Sequence, residues 1–298
     1  MEVADGEGLL AGEPRDVAAL LAGLRSASCA VVRLPLPAAR EMRSLDAAAS
    51  AFFALPEAVK AEHAQLVCIR AAGAHKQLLG WRRPSPAKEL VRYFAGRAPT
   101  AGVRAPRAVR SLVRHARVAE GRLCALMASC LRAVLADAGV HASAREVRYA
   151  VRDNRPLDLF RYHNRDHGTA PVDSNCSAHV DRGILHAIVA ARVEGLECYD
   201  ARAGRFFSPE RAWSTTMPLD HVIVLANAEL QQLSHSESSN GGWPDRAPRY
   251  RACVHRVVGA ARPRLSISCE LRACAEIEGG SRGWLAQLPR TAARSSAA

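Results

Sequence analysis

The segment Ser177–Ala190, SAHVDRGILHAIVA, sets a histidine and an aspartate two residues apart, ahead of an apolar run. Side chains at i and i+2 of a strand share a face, so His179 and Asp181 can reach one ion together. An imidazole and a carboxylate are two thirds of the facial triad that holds non-haem Fe(II) with open positions. The third ligand must be a histidine from another strand. His255, in ACVHRVV, is the best candidate, because an imidazole without a partner in so apolar a frame is costly. Alone, the His-x-Asp pair also reads as a polar strand end. His235-Ser236-Glu237 has the same spacing but lies in SHSESSNGG, a loop-like stretch that ranks lower. Downstream, Arg264 and Ser266 in RPRLSIS form another i, i+2 pair. An arginine fork with a serine hydroxyl beside it suits a carboxylate. Iron ligands plus a carboxylate clamp are what chelation of a 2-oxo acid requires.

These residues need strands to carry them, and the second half of the chain supplies candidates. Residues 157–163, 183–190, 195–200, 204–209, 221–226, 252–258 and 264–271 read as short strands, with Ala203–Gly204 as a hairpin turn. Such spacing predicts an antiparallel sandwich or barrel. The front half reads differently. Residues 14–67 are helical apart from a short strand at Cys29–Leu36, with Pro14 opening one helix and Pro56 stopping or restarting another. Residues 68–103 read as loops and short elements. Residues 106–138 carry a stripe from Val109 to Leu135 at helical spacing, and Gly139 is a natural stop. The expectation is three regions: a helical one over 1–145, a β core over 146–275 and a tail over 276–298.

Composition narrows the class. At 298 residues and 49% hydrophobic content, the chain has the material for a sizeable core. The formal charge of +12 invites a nucleic-acid reading, but only Lys60, Lys76 and Lys88 among 41 basic residues are lysine. Arginine is spread over the whole length with no basic block, which argues against a nucleic-acid surface. No run of about 18 apolar residues is present, so no membrane span is expected. Nine cysteines without a C-x-x-C pair fit reduced thiols in a cytoplasmic protein, and a monomer is expected.

The order of the motifs resembles the plant-type 2-oxoglutarate and Fe(II)-dependent dioxygenases, the isopenicillin N synthase-like group. AFFALPEAVKAEH, HVDRGILHAIVA, VEGLECYDARAGRFFSP and CVHRVVGAARPRLSIS each have a counterpart there, and the likeness runs from about residue 14 to 272. The resemblance implies a mainly β protein with a helical N-terminal half, its core a double-stranded β-helix (jelly roll) wrapped by α-helices. It implies Fe(II) on His179, Asp181 and His255, and 2-oxoglutarate as co-substrate with its 5-carboxylate on Arg264 and Ser266. It implies O2 as the oxidant and hydroxylation or desaturation of a small molecule, with release of succinate and CO2. Tyr162 matches the tyrosine of the family's N-x-Y motif, while Phe160 stands in place of its asparagine. Two further departures are an insertion at Ser234–Tyr250 and a His255–Arg264 interval about one residue short, which a tighter hairpin would absorb. Trp81, Arg82, Arg92 and Trp243 are candidates to touch substrate. His163, His167, His186 and His221 are taken as structural or rim residues. An iron oxidase of the same fold that uses no 2-oxoglutarate is the nearest alternative.

Overall fold

The structure, a computed structural model, describes residues 2–63, 67–70, 76–94, 104–139, 156–164, 175–212, 218–234 and 248–272. In chain order the elements are β1 (Ala4–Asp5), α1 (Gly6–Ala11), α2 (Pro14–Ala27), β2 (Cys29–Arg33), α3 (Leu36–Phe53) and α4 (Glu57–His63). Then follow β3 (Val67–Arg70), β4 (Lys76–Ser85), β5 (Lys88–Phe94) and α5 (Arg107–Asp137). The second half holds β6 (Pro156–Tyr162), β7 (Cys176–His179), β8 (Leu185–Val189), β9 (Leu196–Asp200), β10 (Arg205–Phe207) and α6 (Pro209–Ala212). It ends with β11 (His221–Ala226), α7 (Ala228–Leu233), β12 (His255–Val257) and β13 (Arg264–Leu271).

Two sheets form. The larger has the order β1-β2-β11-β8-β13-β6-β5-β4-β3 and the smaller β10-β9-β12-β7. Alternation along the strands divides the large sheet's side chains between two environments. Leu157, Leu159, Leu265, Ile267, Cys269 and Leu271 pack into one apolar cluster with α3 and the buried stripe of α5. Gly139, at φ 74°, follows α5 in the left-handed conformation that glycine tolerates at a helix end. The opposite face meets the small sheet. Val31, Ile188, Ile223 and Leu225 from the large sheet pack there with Leu196 and Cys198 from the small one.

That inner space is apolar over only part of its extent. Register puts Arg264 opposite Tyr162, Ser266 opposite Phe160 and Ser268 opposite both Asp158 and Ile188. Lys88, Leu90 and Arg92 in turn sit opposite Tyr162, Phe160 and Asp158. One end of the sandwich interior is therefore lined by polar and aromatic side chains.

One expectation is refined and another corrected. The loops and short elements expected over 68–103 include the strands β3 to β5, which extend the large sheet beyond β6, while the strand expected at Cys29 is found as β2 near the sheet's other edge. The His-x-Asp pair does not share a strand face. His179 is the last residue of β7 in the small sheet, and Asp181 lies in the link to β8 of the large sheet. The link turns inward at once. Gly183 makes this possible, because a Cβ there would lie 2.5 Å from the Leu271 carbonyl oxygen.

Candidate metal centre

The small sheet fixes the two histidines. His255 opens β12 and pairs directly with His179 across the antiparallel ladder, a placement that brings side chains of one face together. Their ring centroids are 4.4 Å apart. The tautomers are set by the backbone: Nδ1 of His179 donates to the Ser177 carbonyl at 2.8 Å and Nδ1 of His255 to that of Cys253 at 3.2 Å. Both Nε2 atoms are thereby left as the ligating nitrogens.

Asp181 faces them from the β7–β8 link. Its Oδ1 is 3.5 Å from His179 Nε2 and its Oδ2 is 3.4 Å from His255 Nε2. Backbone bonds hold the link against α7: Ala228 N–H donates to the Asp181 carbonyl at 3.0 Å and Glu229 N–H to that of Gly183 at 3.1 Å. One ligand atom from each of the three residues lies within 4.8 Å of the others. A metal with bonds of about 2.1 Å would need to draw them in only slightly. Two imidazoles and one carboxylate on one side of the ion, with the other side open, suit ferrous iron.

His186 completes this group and was not expected in it. On β8 it shares the inner face with Ile188, and its Nδ1 lies 2.5 Å from Asp181 Oδ2. It orients the carboxylate from behind, as a buried partner of a ligating group does. The apolar context LHAIV reads as core and conceals this role.

The charges follow from these contacts. Burial pushes His255 down to about 4, against the pull of Asp181, so it is neutral at physiological pH. The hydrogen bond to Asp181, aided by Cys176, raises His179 to about 10. Burial alone would raise Asp181, yet His179 and His186 hold it well below the usual carboxylate range. Burial likewise opposes a raised His186, and the Asp181 bond outweighs it. The centre is thus an imidazolium–carboxylate cluster in which a cation can replace the His179 proton.

The expected carboxylate clamp is organised differently. Arg264 is fully buried, and both arms of its fork are spent on Glu210, with Nη1–Oε2 and Nη2–Oε1 each 2.9 Å. Nη1 also donates to the Val193 carbonyl. Glu210 is saturated in turn. It accepts from the N–H groups of Ala191 at 3.1 Å, Gly195 at 3.0 Å and Leu196 at 3.1 Å. The residue present therefore does not fit the role of a free bidentate clamp. Of the Arg264 side-chain nitrogens, Nε alone is buried without a partner among the described residues. Ser266 and Tyr162 are buried on neighbouring strands, opposite Phe160 and Arg264 respectively.

The substrate candidates divide. Arg82, opposite Leu90, lies on the inner face, with its Nε buried and without a partner among the described residues. Arg92 is on that face too but is locked to Asp158 at 2.7 and 2.6 Å. Trp81 points to the other side, packing on the helical core and donating to Glu89 at 2.8 Å. Trp243 and the rest of the insertion over 235–247 lie outside the described residues, as does His167. The rival pair His235 and Glu237 falls in that same stretch. His163 binds Glu89 at 3.0 Å. His221, at the start of β11, is likewise outside the triad. An open cleft of about 780 Å³ between the β8–β9 and β12–β13 loops contains no triad residue. Its Arg192 and Arg211 are paired with Asp46 and Glu194, so we place the chemistry at the triad. Arg25, Arg33, Arg43 and Arg83 are also tied to carboxylates, which disperses the arginine excess over the surface. No helix among the described residues is long and apolar enough to cross a membrane.

No family model and no curated relative matches the chain. Solved structures do. A full-length Neurospora crassa protein in complex with alpha-KG and 5-formyluracil superposes with a TM-score of 0.67 at 18% identity, over 91% of this chain and 84% of that one. The dioxygenase for auxin oxidation from rice gives 0.64 at 23%, over 94% and 88%. The Arabidopsis thaliana dioxygenase for auxin oxidation 1, as its 2-oxoglutarate complex, gives 0.64 at 17%, over 92% of each chain. At these identities the likeness establishes a shared fold over most of the chain.

Proposed function

We propose that the chain is a non-haem Fe(II)- and 2-oxoglutarate-dependent dioxygenase that hydroxylates or desaturates a small organic substrate, releasing succinate and CO2. The observation that carries this reading is the convergence of His179 and His255, from two strands of the small sheet, and Asp181, from the link that leaves it, on one point. The two facing sheets are then the double-stranded β-helix implied by the motif order. Iron held by two Nε2 atoms and one Asp181 oxygen would supply O2 activation and the oxidising power for C–H cleavage.

The chain's own residues do the rest. The Ser177 and Cys253 carbonyls hold the imidazole tautomers, and His186 holds the free side of the carboxylate. The apolar end of the interior, around Ile188, Leu196 and Ile223, keeps water from one flank. The polar end, with Tyr162, Ser266 and Arg82, receives the organic ligands. The overall likeness to proteins solved with alpha-KG or 2-oxoglutarate supports the choice of co-substrate.

A second reading, an Fe(II) oxidase that needs no 2-oxo acid, gains support from Glu210 filling the Arg264 fork. Succinate release separates the two. Anaerobically loaded enzyme, exposed to O2 and a panel of small molecules, should form succinate only with 2-oxoglutarate present and faster with the right substrate. O2 uptake that ignores 2-oxoglutarate would favour the oxidase.

A further inference from the structure

With the Arg264 fork closed, the inner face still offers one ammonium group. Lys88 begins β5 opposite Tyr162, which is itself opposite Arg264, so the three form one row across three strands. The Lys88 side chain leans over β6 towards Phe160, in the next row. Its Nζ is 4.5 Å from the Phe160 ring centroid and 5.3 Å from that of Tyr162. The ammonium thus lies over β6, the strand next to the one bearing Ser266 and Arg264, a neighbour spacing of about 4.8 Å.

Lys88 makes no ion pair or hydrogen bond to any described residue. The nearest carboxylate along the sheet face, Asp158, is taken by Arg92 through two bonds. The rings of Phe160 and Tyr162, with the more distant fields of Cys176 and Asp158, compensate only part of its lost hydration. Burial accordingly lowers the Lys88 pKa. Phe160, which departs from the asparagine of the resembled motif, is one of the two rings it rests on. A ligand carboxylate placed here would meet the ammonium, with the Ser266 hydroxyl and the single spare N–H of Arg264 on the neighbouring strand.

We infer that Lys88, rather than Arg264, anchors the far carboxylate of a 2-oxo acid whose other end is at the metal centre. The inference rests on the proposed oxygenase function, and its test separates the two. Full-length protein loaded with Fe(II) under anaerobic conditions is titrated with 2-oxoglutarate, following the metal-to-ketoacid absorbance, which needs no turnover. A parallel titration uses 2-oxobutyrate, which lacks the far carboxylate.

Lys88→Met, with no charge, should weaken 2-oxoglutarate binding about 10- to 100-fold, the range for losing a charge-assisted contact. It should leave 2-oxobutyrate binding unchanged, and Lys88→Arg should restore most of the loss. If Lys88→Met binds 2-oxoglutarate as tightly as the wild type, the inference is overturned while the oxygenase reading stands. Tighter binding by Glu210→Gln would in that event identify Arg264 as the anchor. A wild-type protein that develops no band with either acid overturns both.

Discussion

Replacing Glu210 by alanine strips the counter-ion from a guanidinium with 0% side-chain exposure, and Glu210 itself is only 1% exposed. Breaking a buried pair on one side costs about 3–5 kcal/mol, because the surviving charge stays desolvated. Three backbone N–H groups lose their acceptor as well, at Ala191, Gly195 and Leu196. Water entering the vacated space can recover part of that, so about 4 kcal/mol is a fair expectation. This is a large share of the roughly 5–15 kcal/mol that holds a typical domain. Urea unfolding at neutral pH reads it directly. With a slope of about 3 kcal/mol/M, the midpoint should fall by about 1–1.5 M. The control is Arg211→Ala, which removes an ion pair whose partners are 80% and 48% exposed. It should change stability by less than about 0.5 kcal/mol. A Glu210→Ala protein within about 1 kcal/mol of the wild type would refute the reasoning. Arg264 would then have found another partner, and its fork would be available to ligands after all.

The remaining predictions concern the metal centre and the buried Glu89–Lys60 pair. His186→Phe keeps the ring volume but loses the bond to Asp181, and should weaken metal binding about 10- to 100-fold in a competition titration, with little change in thermal midpoint. Glu89 is buried between Lys60 Nζ at 2.5 Å and Trp81 Nε1 at 2.8 Å. Burial alone would raise its pKa, yet the Lys60 and Trp81 bonds leave it lowered. Its contribution is therefore present above the unfolded glutamate value of about 4.3 and lost as pH falls through the lower folded value. Thermal midpoints from pH 7 to pH 3 should show Glu89→Gln clearly less stable at neutral pH and converging on the wild type in acid; a constant gap would contradict this.

Much of the site was legible because its chemistry is carried by residue types. His179, Asp181 and His255 stand out by identity and by the apolar runs around them, and α3 and α5 by their stripes. The strand geometry invoked for His179 and Asp181 was not the one found. CSAH has two exposed residues in four and no apolar alternation, so β7 gave no signal, and a change of sheet brings the carboxylate back. The segment KQLLGWRRPSPAKELVRYF hid β4 and β5 for a related reason. Lys88 and Arg92 point into the interior while Glu89 pairs with Lys60 on the other face, so charge falls on both sides of the strand. The Arg264–Glu210 pair joins residues 54 positions apart, and no local pattern announces it. His186 did leave a trace. It sits two residues before Ile188 on the same face, five after Asp181, and an imidazole in a core strand needs a partner.

Metal content tests the central claim most directly. After anaerobic reconstitution and removal of loose ions, the wild-type chain should retain one Fe(II) per molecule, while His179→Ala, Asp181→Ala and His255→Ala should each retain almost none and remain folded. Iron held equally well by any of the three variants, or not held by the wild type, would contradict it.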